Sequence, residues 1–111
     1  MQKARLIVLT ILSCFIASAH AQPVWIEGTL DCGQWTEARK QNRAMTIEAY
    51  LVGFLSGVAS GSKKEFWRAK GGQTSRQAVY AWMDNYCQAD PLENVIFAAI
   101  RLFNERVEAP K

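Results

Sequence analysis

The apolar residues of this chain recur three or four positions apart in three long segments. These segments cover about residues 44–61, 75–87 and 92–107. Their apolar positions, in chain order, are Ile47, Leu51, Phe54, Leu55, Val58, Val79, Trp82, Met83, Tyr86, Leu92, Val95, Ile96, Ala99, Phe103 and Val107. Because residues three and four apart share one face of a helix, the pattern predicts three amphipathic helices that bury these side chains.

A shorter helix is predicted before them. It starts around Asp31 and Cys32, runs to about Lys40, and ends before a break at Asn42. Residues 22–30 contain Pro, Gly and β-branched or aromatic residues, and predict an extended lead-in. The predicted fold is therefore all-α, a small bundle of three main helices and one short helix.

Local residue choice also predicts where two of the helices begin. Thr74 or Ser75 can cap the helix that follows. Further along, Asp90-Pro91-Leu92-Glu93 has an N-cap residue, a proline at the first helical position and a glutamate three residues after the cap. This combination predicts that a capping box at Asp90 opens the last helix.

The second predicted helix carries a stripe of small residues spaced four apart. They are Ala49, Gly53, Gly57 and Gly61. Glycine costs about 1 kcal/mol against alanine inside a helix, so the stripe needs a reason, and we expect another helix to pack closely against it. A transmembrane span is disfavoured, because the apolar stretch is only about a dozen residues long and is flanked by charge.

The N-terminal residues predict a cleaved secretion signal. Lys3 and Arg5 precede an apolar run from Leu6 to Ile16, and Ala19-His20-Ala21 fits the small-residue pattern of a signal peptidase site. Cleavage between Ala21 and Gln22 would remove residues 1–21. It would leave residues 22–111 as a single all-α domain in the periplasm or outside the cell.

The alternatives to a cleaved signal are a membrane anchor and a lipid anchor. An uncleaved membrane anchor needs about 20 apolar residues, and this run is shorter. A lipid attached to Cys14 is disfavoured because the apolar run continues through Phe15 and Ile16, whereas a lipidated cysteine should end it. Neither alternative fits as well as a cleaved signal.

The remaining cysteines, Cys32 and Cys87, predict a disulfide. An even pair in an exported chain is typical of a structural bridge. Two free buried thiols are the alternative, and an oxidising compartment makes them the weaker one.

Loss of the signal also limits the chemistry. His20, the chain's one histidine, leaves with it, so the mature domain has no Ser–His or Cys–His pair and no histidine metal ligand. A bridged cysteine pair excludes a thiolate metal site, and the carboxylates show no catalytic spacing. We therefore expect a protein that is not an enzyme and has no cofactor or metal.

The charge distribution points to one segment. Without Lys3 and Arg5 the chain has 11 basic and 10 acidic residues, which removes the main support for nucleic-acid binding. Residues 63–76, the basic loop, carry five cations against one acid, a net charge of +4. The predicted partner-binding residues there are Lys63, Lys64, Phe66, Trp67, Arg68 and Lys70, since arginine and aromatic side chains dominate binding hot spots. The alternative is that both aromatic rings belong to the core while the lysines are solvated.

Four sequence elements carry a family resemblance. They are Cys32-Gly33-x-Trp35 with Arg39, the segment Tyr50-Leu51-Val52-Gly53-Phe54-Leu55-Ser56-Gly57, then Trp82-Met83-Asp84-x-Tyr86-Cys87, and Asp90-Pro91-Leu92. Together they resemble the type VI amidase-immunity (Tai-type) domains of Gram-negative bacteria and, more distantly, the periplasmic acid-stress chaperones, which are compact helical domains with one disulfide.

The first resemblance implies a periplasmic protein that binds and neutralises a cell-wall amidase. The second implies a stress chaperone, and an uncharacterised structural role is a third possibility. The matching residues are structural (Gly53, Gly57, Cys32 and Cys87), so the resemblance transfers no binding residue. We expect an exported binding protein whose partner is a protein of the cell envelope, with no membrane span after cleavage.

Overall fold

The computed structural model describes residues 25–69 and 71–108, which form four helices. They are α1 (Cys32–Lys40), α2 (Met45–Ser62), α3 (Arg76–Ala89) and α4 (Val95–Val107). Within these residues there is no strand, only an isolated antiparallel bridge between Asp31 and Asn94. The all-α prediction is confirmed. The predicted cleavage site at Ala21 and Gln22 lies outside the described residues.

The start of α1 is held by a capping box and by backbone hydrogen bonds to the segment before α4. Asp31 caps the helix by accepting from Gln34 N at 2.7 Å, while the Gln34 side chain accepts from Asp31 N at 3.1 Å. The Cys32 amide then donates to the Glu93 carbonyl, and the Val95 amide donates to the Leu30 carbonyl. These bonds place the end of the lead-in beside the turn that precedes α4.

Ser75 is the cap of α3, its side chain accepting from Ala78 N at 3.1 Å. The predicted capping box at Asp90 is wrong. The Asp90 amide still bonds to Tyr86 and ends α3, and residues 90–93 form a turn closed by the Glu93 amide on the Asp90 carbonyl. Asn94 caps α4 instead, accepting from Ile96 N at 2.7 Å.

The late start of α4 has a physical reason. Asn94 has an extended backbone because the Glu93 carbonyl and the Val95 amide on either side of it pair with Cys32 and Leu30, so α4 cannot begin before this residue. Leu92, predicted to point inward, therefore projects from the turn and is 99% exposed.

The core lies where α1 packs on α3 and where α2 and α3 pack on α4. Its largest fully buried side chains are Trp35, Leu51, Leu55, Phe66, Val79, Met83, Val95 and Ile96. The predicted disulfide is confirmed: Cys32 and Cys87 are bonded, their Cα atoms lie 5.0 Å apart, and both are buried. It ties the first turn of α1 to the last turn of α3.

The small-residue stripe lies on the exposed side of α2. Gly53, Gly57 and Gly61 are all exposed, and a Cβ built on any of them would meet nothing within 4 Å. Leu51 and Leu55, on the opposite face, are the α2 residues that enter the core. Hence no helix among the described residues makes the close approach that the stripe predicted.

This exposure gives a stability prediction. Gly53→Ala and Gly57→Ala should each raise the free energy of unfolding by up to about 1 kcal/mol, because alanine fits the helix better and meets no neighbour there. Urea unfolding of the purified domain, residues 22–111, measures the change. A loss of stability in either variant would show that the stripe is covered in the folded protein.

Candidate partner-binding surface

Phe66, which was predicted to contact a partner, lies in the core of the protein instead. Its ring is fully buried and stacks on Phe103 of α4, with ring centroids 5.7 Å apart. A side chain that is part of the core is not available to a partner. For Phe66 the alternative prediction, an aromatic ring buried beneath the loop, is therefore the one confirmed.

Trp67 lies at the boundary between the core and the solvent. Its ring packs edge-on against Phe66, with centroids 4.9 Å apart, and it is partly buried. The indole Nε1 donates to Ser56 Oγ of α2 at 3.0 Å. Trp67 thus fastens the loop to the C-terminal half of α2 while one part of its ring stays accessible.

Arg106, near the end of α4, holds the other side of the basic loop. Its Nε donates to the Phe66 carbonyl at 3.1 Å and its Nη2 to the Gly72 carbonyl at 2.8 Å. The guanidinium also lies 5.3 Å from the centre of the Phe66 ring. One cation therefore binds two carbonyls six residues apart, and the Thr74 amide bonds back to the Trp67 carbonyl, so the described residues of the loop are anchored to α4 and to one another.

The loop presents its charges outward. Lys63, Lys64 and Arg68 are exposed, as is Arg76, which opens α3. Within the described part of the chain none of these four cations forms an ion pair. The loop's acid, Glu65, accepts a hydrogen bond from the Arg68 amide, so it serves the loop backbone. The side chain of Lys70 lies outside the described residues.

A shallow groove of about 380 Å³ runs between the C-terminal half of α2 and the basic loop. Its lining is Ser56, Ala59, Ser60, Lys63, Lys64, Glu65 and Trp67. It therefore combines hydroxyl groups, two lysines and the edge of an indole ring. Of the residues predicted for partner binding, Lys63, Lys64 and Trp67 line this groove. Arg68 lies farther along the same loop, and Phe66 is buried in the core.

A second polar cluster joins three helices at the far side of the bundle, and sequence reasoning did not identify it. Arg39 of α1 binds Asp84 of α3 through Nε and Nη2, at 2.9 and 2.7 Å, and Glu48 of α2 through Nη1 at 2.6 Å. The indole of buried Trp35 also donates to Asp84, at 2.8 Å. The guanidinium lies 5.6 Å from the centre of the Tyr80 ring, which adds a cation–π contact.

This cluster shifts the titration of its charged groups. Hydrogen bonds from Arg39, helped by the one from Trp35, lower the pKa of Asp84 below its ordinary value of 3.8 despite partial burial. The hydrogen bond to Asp84 is the main cause of a raised pKa for Arg39. An aspartate held as an anion by three donors is poorly suited to proton transfer, so the arrangement serves structure.

A larger groove, about 710 Å³, lies beside this cluster between α1 and α3. Its wall includes the disulfide, Thr36, Glu37, Lys40, Gln88 and Pro91. The lining carries both signs of charge, and its Arg39 and Asp84 are already paired with each other. Its geometry therefore favours no particular ligand.

Comparison with models of known protein families, with curated proteins and with solved structures gives no significant match. The described residues show neither a cluster of metal ligands nor a membrane-spanning helix. Across residues 25–69 and 71–108, no three acidic, cysteine or histidine side chains are grouped as metal ligands. Within the same residues, no helix combines the length and hydropathy that a membrane crossing needs.

Proposed function

We propose that this chain is an exported, non-catalytic binding protein of the inhibitor or immunity type, which docks a protein partner of the cell envelope through the basic loop. The observation that carries the proposal is an anchored loop whose exposed cations, Lys63, Lys64 and Arg68, form no ion pair with the described residues. The resemblance to amidase-immunity domains suggests a cell-wall hydrolase as the partner class.

Anchoring of the loop favours binding, because a loop that is already held in place loses less conformational entropy when a partner binds. Arg106 and Trp67 hold the loop from both sides before any partner arrives, which lowers that cost. Unpaired surface cations also speed association with an acidic partner and select against a basic one. Both features favour recognition of a macromolecule over a structural role for the loop.

The test is affinity capture from an envelope extract with three forms of the mature domain. Reversing two charges, Lys64→Glu with Arg68→Glu, should weaken capture of the partner by about tenfold or more without lowering the melting temperature. The matched control is Arg43→Glu, which changes an exposed cation between α1 and α2. A partner retained equally by the reversed variant would contradict docking through the loop.

A stress-chaperone function is the second candidate, and the Arg39 cluster favours it. Asp84 of α3 and Glu48 of α2 both bind Arg39 of α1, so protonation of Asp84 in strong acid would release the contact between α1 and α3. A chaperone of this kind should bind an apolar dye when the pH drops from neutral to about 2, as Asp84 loses its charge. A domain that stays folded and does not bind dye in acid excludes this function.

A further inference from the structure

The turn at Gly72 supplies the basic loop with one of its two acceptors for Arg106. Gly72 has a φ of +113°, a backbone conformation that glycine adopts readily and that residues with a Cβ rarely adopt. Its amide donates to the Ala69 carbonyl at 2.8 Å, and its carbonyl accepts from Arg106 Nη2 at 2.8 Å. The positive φ is therefore part of the geometry that brings this carbonyl to α4.

Arg106 binds the loop at two separate points. Its Nε donates to the Phe66 carbonyl and its Nη2 to the Gly72 carbonyl, while the guanidinium lies over the Phe66 ring. Both acceptors are backbone atoms, and a planar guanidinium presents its donors in a fixed arrangement that can hold two of them at once. We call Arg106 with these two carbonyls the Arg106 anchor.

The exposed cations of the loop lie close to the anchor along the chain but are not part of it. Lys64 precedes Phe66 by two residues, and Arg68 lies between Phe66 and Gly72. Both cations are exposed, whereas Arg106 is half-buried and directed at the loop backbone. A partner that recognises the relative positions of these cations therefore depends on the anchor without having to touch it.

We propose that Arg106 and Gly72 are positioning residues for partner recognition, which set the backbone conformation in which the basic loop presents Lys64 and Arg68. This inference rests on the proposed function, because it concerns how the same loop binds. Without the anchor only a fraction of the molecules present the loop in its binding conformation, and the apparent affinity falls by that fraction. The determinants of partner binding thus extend to a glycine turn and to a residue of α4.

Two variants remove the anchor in different ways, and each has a matched control. Gly72→Ala places a Cβ at the positive φ, where it meets no atom within 4 Å, so its effect is on the backbone conformation. Gly71→Ala is its control, because Gly71 has no positive φ and a Cβ there also meets nothing. Arg106→Met removes the donors and one charge, and Arg101→Met removes the same charge from an exposed position of α4.

The first measurement needs no partner. Amide hydrogen exchange of the mature domain, followed by NMR, reports on the loop through the Thr74 amide, which bonds to the Trp67 carbonyl. This amide should exchange about tenfold faster or more in Gly72→Ala and Arg106→Met than in the two controls, with the core amides of α2 and α3 unchanged. Unchanged exchange at Thr74 overturns the inference, because the anchor then does not hold the loop.

The second measurement is surface plasmon resonance with the protein that the mature domain captures from the envelope extract, purified and immobilised. Both anchor variants should bind it with a Kd about tenfold higher, through slower association, while both controls bind like the native domain. Gly72→Ala changes no charge, so the salt dependence of its association should match that of the native domain. Lys64→Glu with Arg68→Glu should flatten the salt dependence, because it removes charges that contact the partner.

The outcomes separate this inference from the proposed function. Faster exchange at Thr74 with native binding would show that the anchor serves stability alone, and would overturn the inference, as would an equal loss of binding in Gly71→Ala or Arg101→Met. If the Lys64 and Arg68 reversal weakens binding while both anchor variants bind normally, loop docking stands and the positioning inference alone fails. If the native domain captures no protein, or the reversed variant binds normally, the proposed function fails and this inference fails with it.

Discussion

Replacing Cys32 and Cys87 together by alanine is expected to lower the free energy of unfolding by about 4 kcal/mol, which is a large part of the stability of a domain this small. The two cysteines are 55 residues apart in sequence. In the unfolded chain the cross-link therefore restricts the segments that form all of α1 and α2, the basic loop and most of α3. Chemical denaturation of the oxidised protein and the double variant measures the difference.

Reduction of the native protein provides the control for this prediction. Because both cysteines are buried in the core, alanine also removes some packing, whereas a reduced thiol keeps it. The reduced protein should therefore lose nearly as much stability as the variant. A combined loss below about 1 kcal/mol would show that the cross-link does not constrain the unfolded chain as the sequence separation implies.

Asp84→Asn is expected to give the next largest loss of stability, about 2 kcal/mol at neutral pH. The substitution removes the charge that pairs with Arg39 and disturbs the acceptor of the Trp35 indole. The expected loss of stability is smaller than for a fully buried ion pair, because the Asp84 side chain is 37% exposed and solvent screens part of the interaction.

The Asp84 carboxylate also makes the stability of the folded protein depend on pH in the acid range. Because the pKa of Asp84 is lower in the folded than in the unfolded protein, its contribution is complete above the ordinary value of 3.8. It is lost as the pH falls below that value and through the lower folded pKa. The native protein should thus lose stability between about pH 5 and pH 2 more steeply than Asp84→Asn.

The exposed pair between Arg101 and Glu105 is the natural control for this second prediction. It joins neighbouring turns of α4 on the surface, so Glu105→Gln should leave stability essentially unchanged. Urea midpoints of the three proteins at several pH values give the comparison. If Asp84→Asn and Glu105→Gln behave alike, the Arg39 cluster does not hold the three helices together.

The helices were predictable from sequence because their apolar residues are regularly spaced, and that spacing locates a helix whatever it packs against. The start of α4 was not. Asp90, Pro91 and Glu93 satisfy a helix-start pattern locally, but pairing of residues 93–95 with Leu30 and Cys32 overrides it. Long-range backbone bonds of this kind leave no local signal. Conversely, the Asp31 and Gln34 capping box does have a local signal, an N-cap residue with Gln three positions later.

The candidate binding surface was predictable in part. The cations of the basic loop are visible in the sequence, and their exposure agrees with that pattern. Which aromatic ring is buried depended on α4, because Phe66 stacks on Phe103 and lies under Arg106. The anchoring role of Arg106 likewise required knowing that the end of α4 lies beside the loop, 34 to 40 residues away in sequence.

The glycine stripe shows a different limit of sequence reasoning. Periodicity placed Gly53 and Gly57 correctly on one face, and small residues on a helix face do favour close packing. The sequence of one chain cannot say whether the neighbour belongs to that chain. The structure leaves this face exposed, so the neighbour that the stripe predicts is not one of the described helices.

The most direct test of loop docking is a backbone amide NMR titration of the isotopically labelled mature domain with the protein it captures from the envelope extract. Docking through the basic loop predicts that the largest chemical-shift changes fall in residues 63–68, with α1 little affected. Changes centred on the groove between α1 and α3, around Thr36 and Gln88, would contradict it.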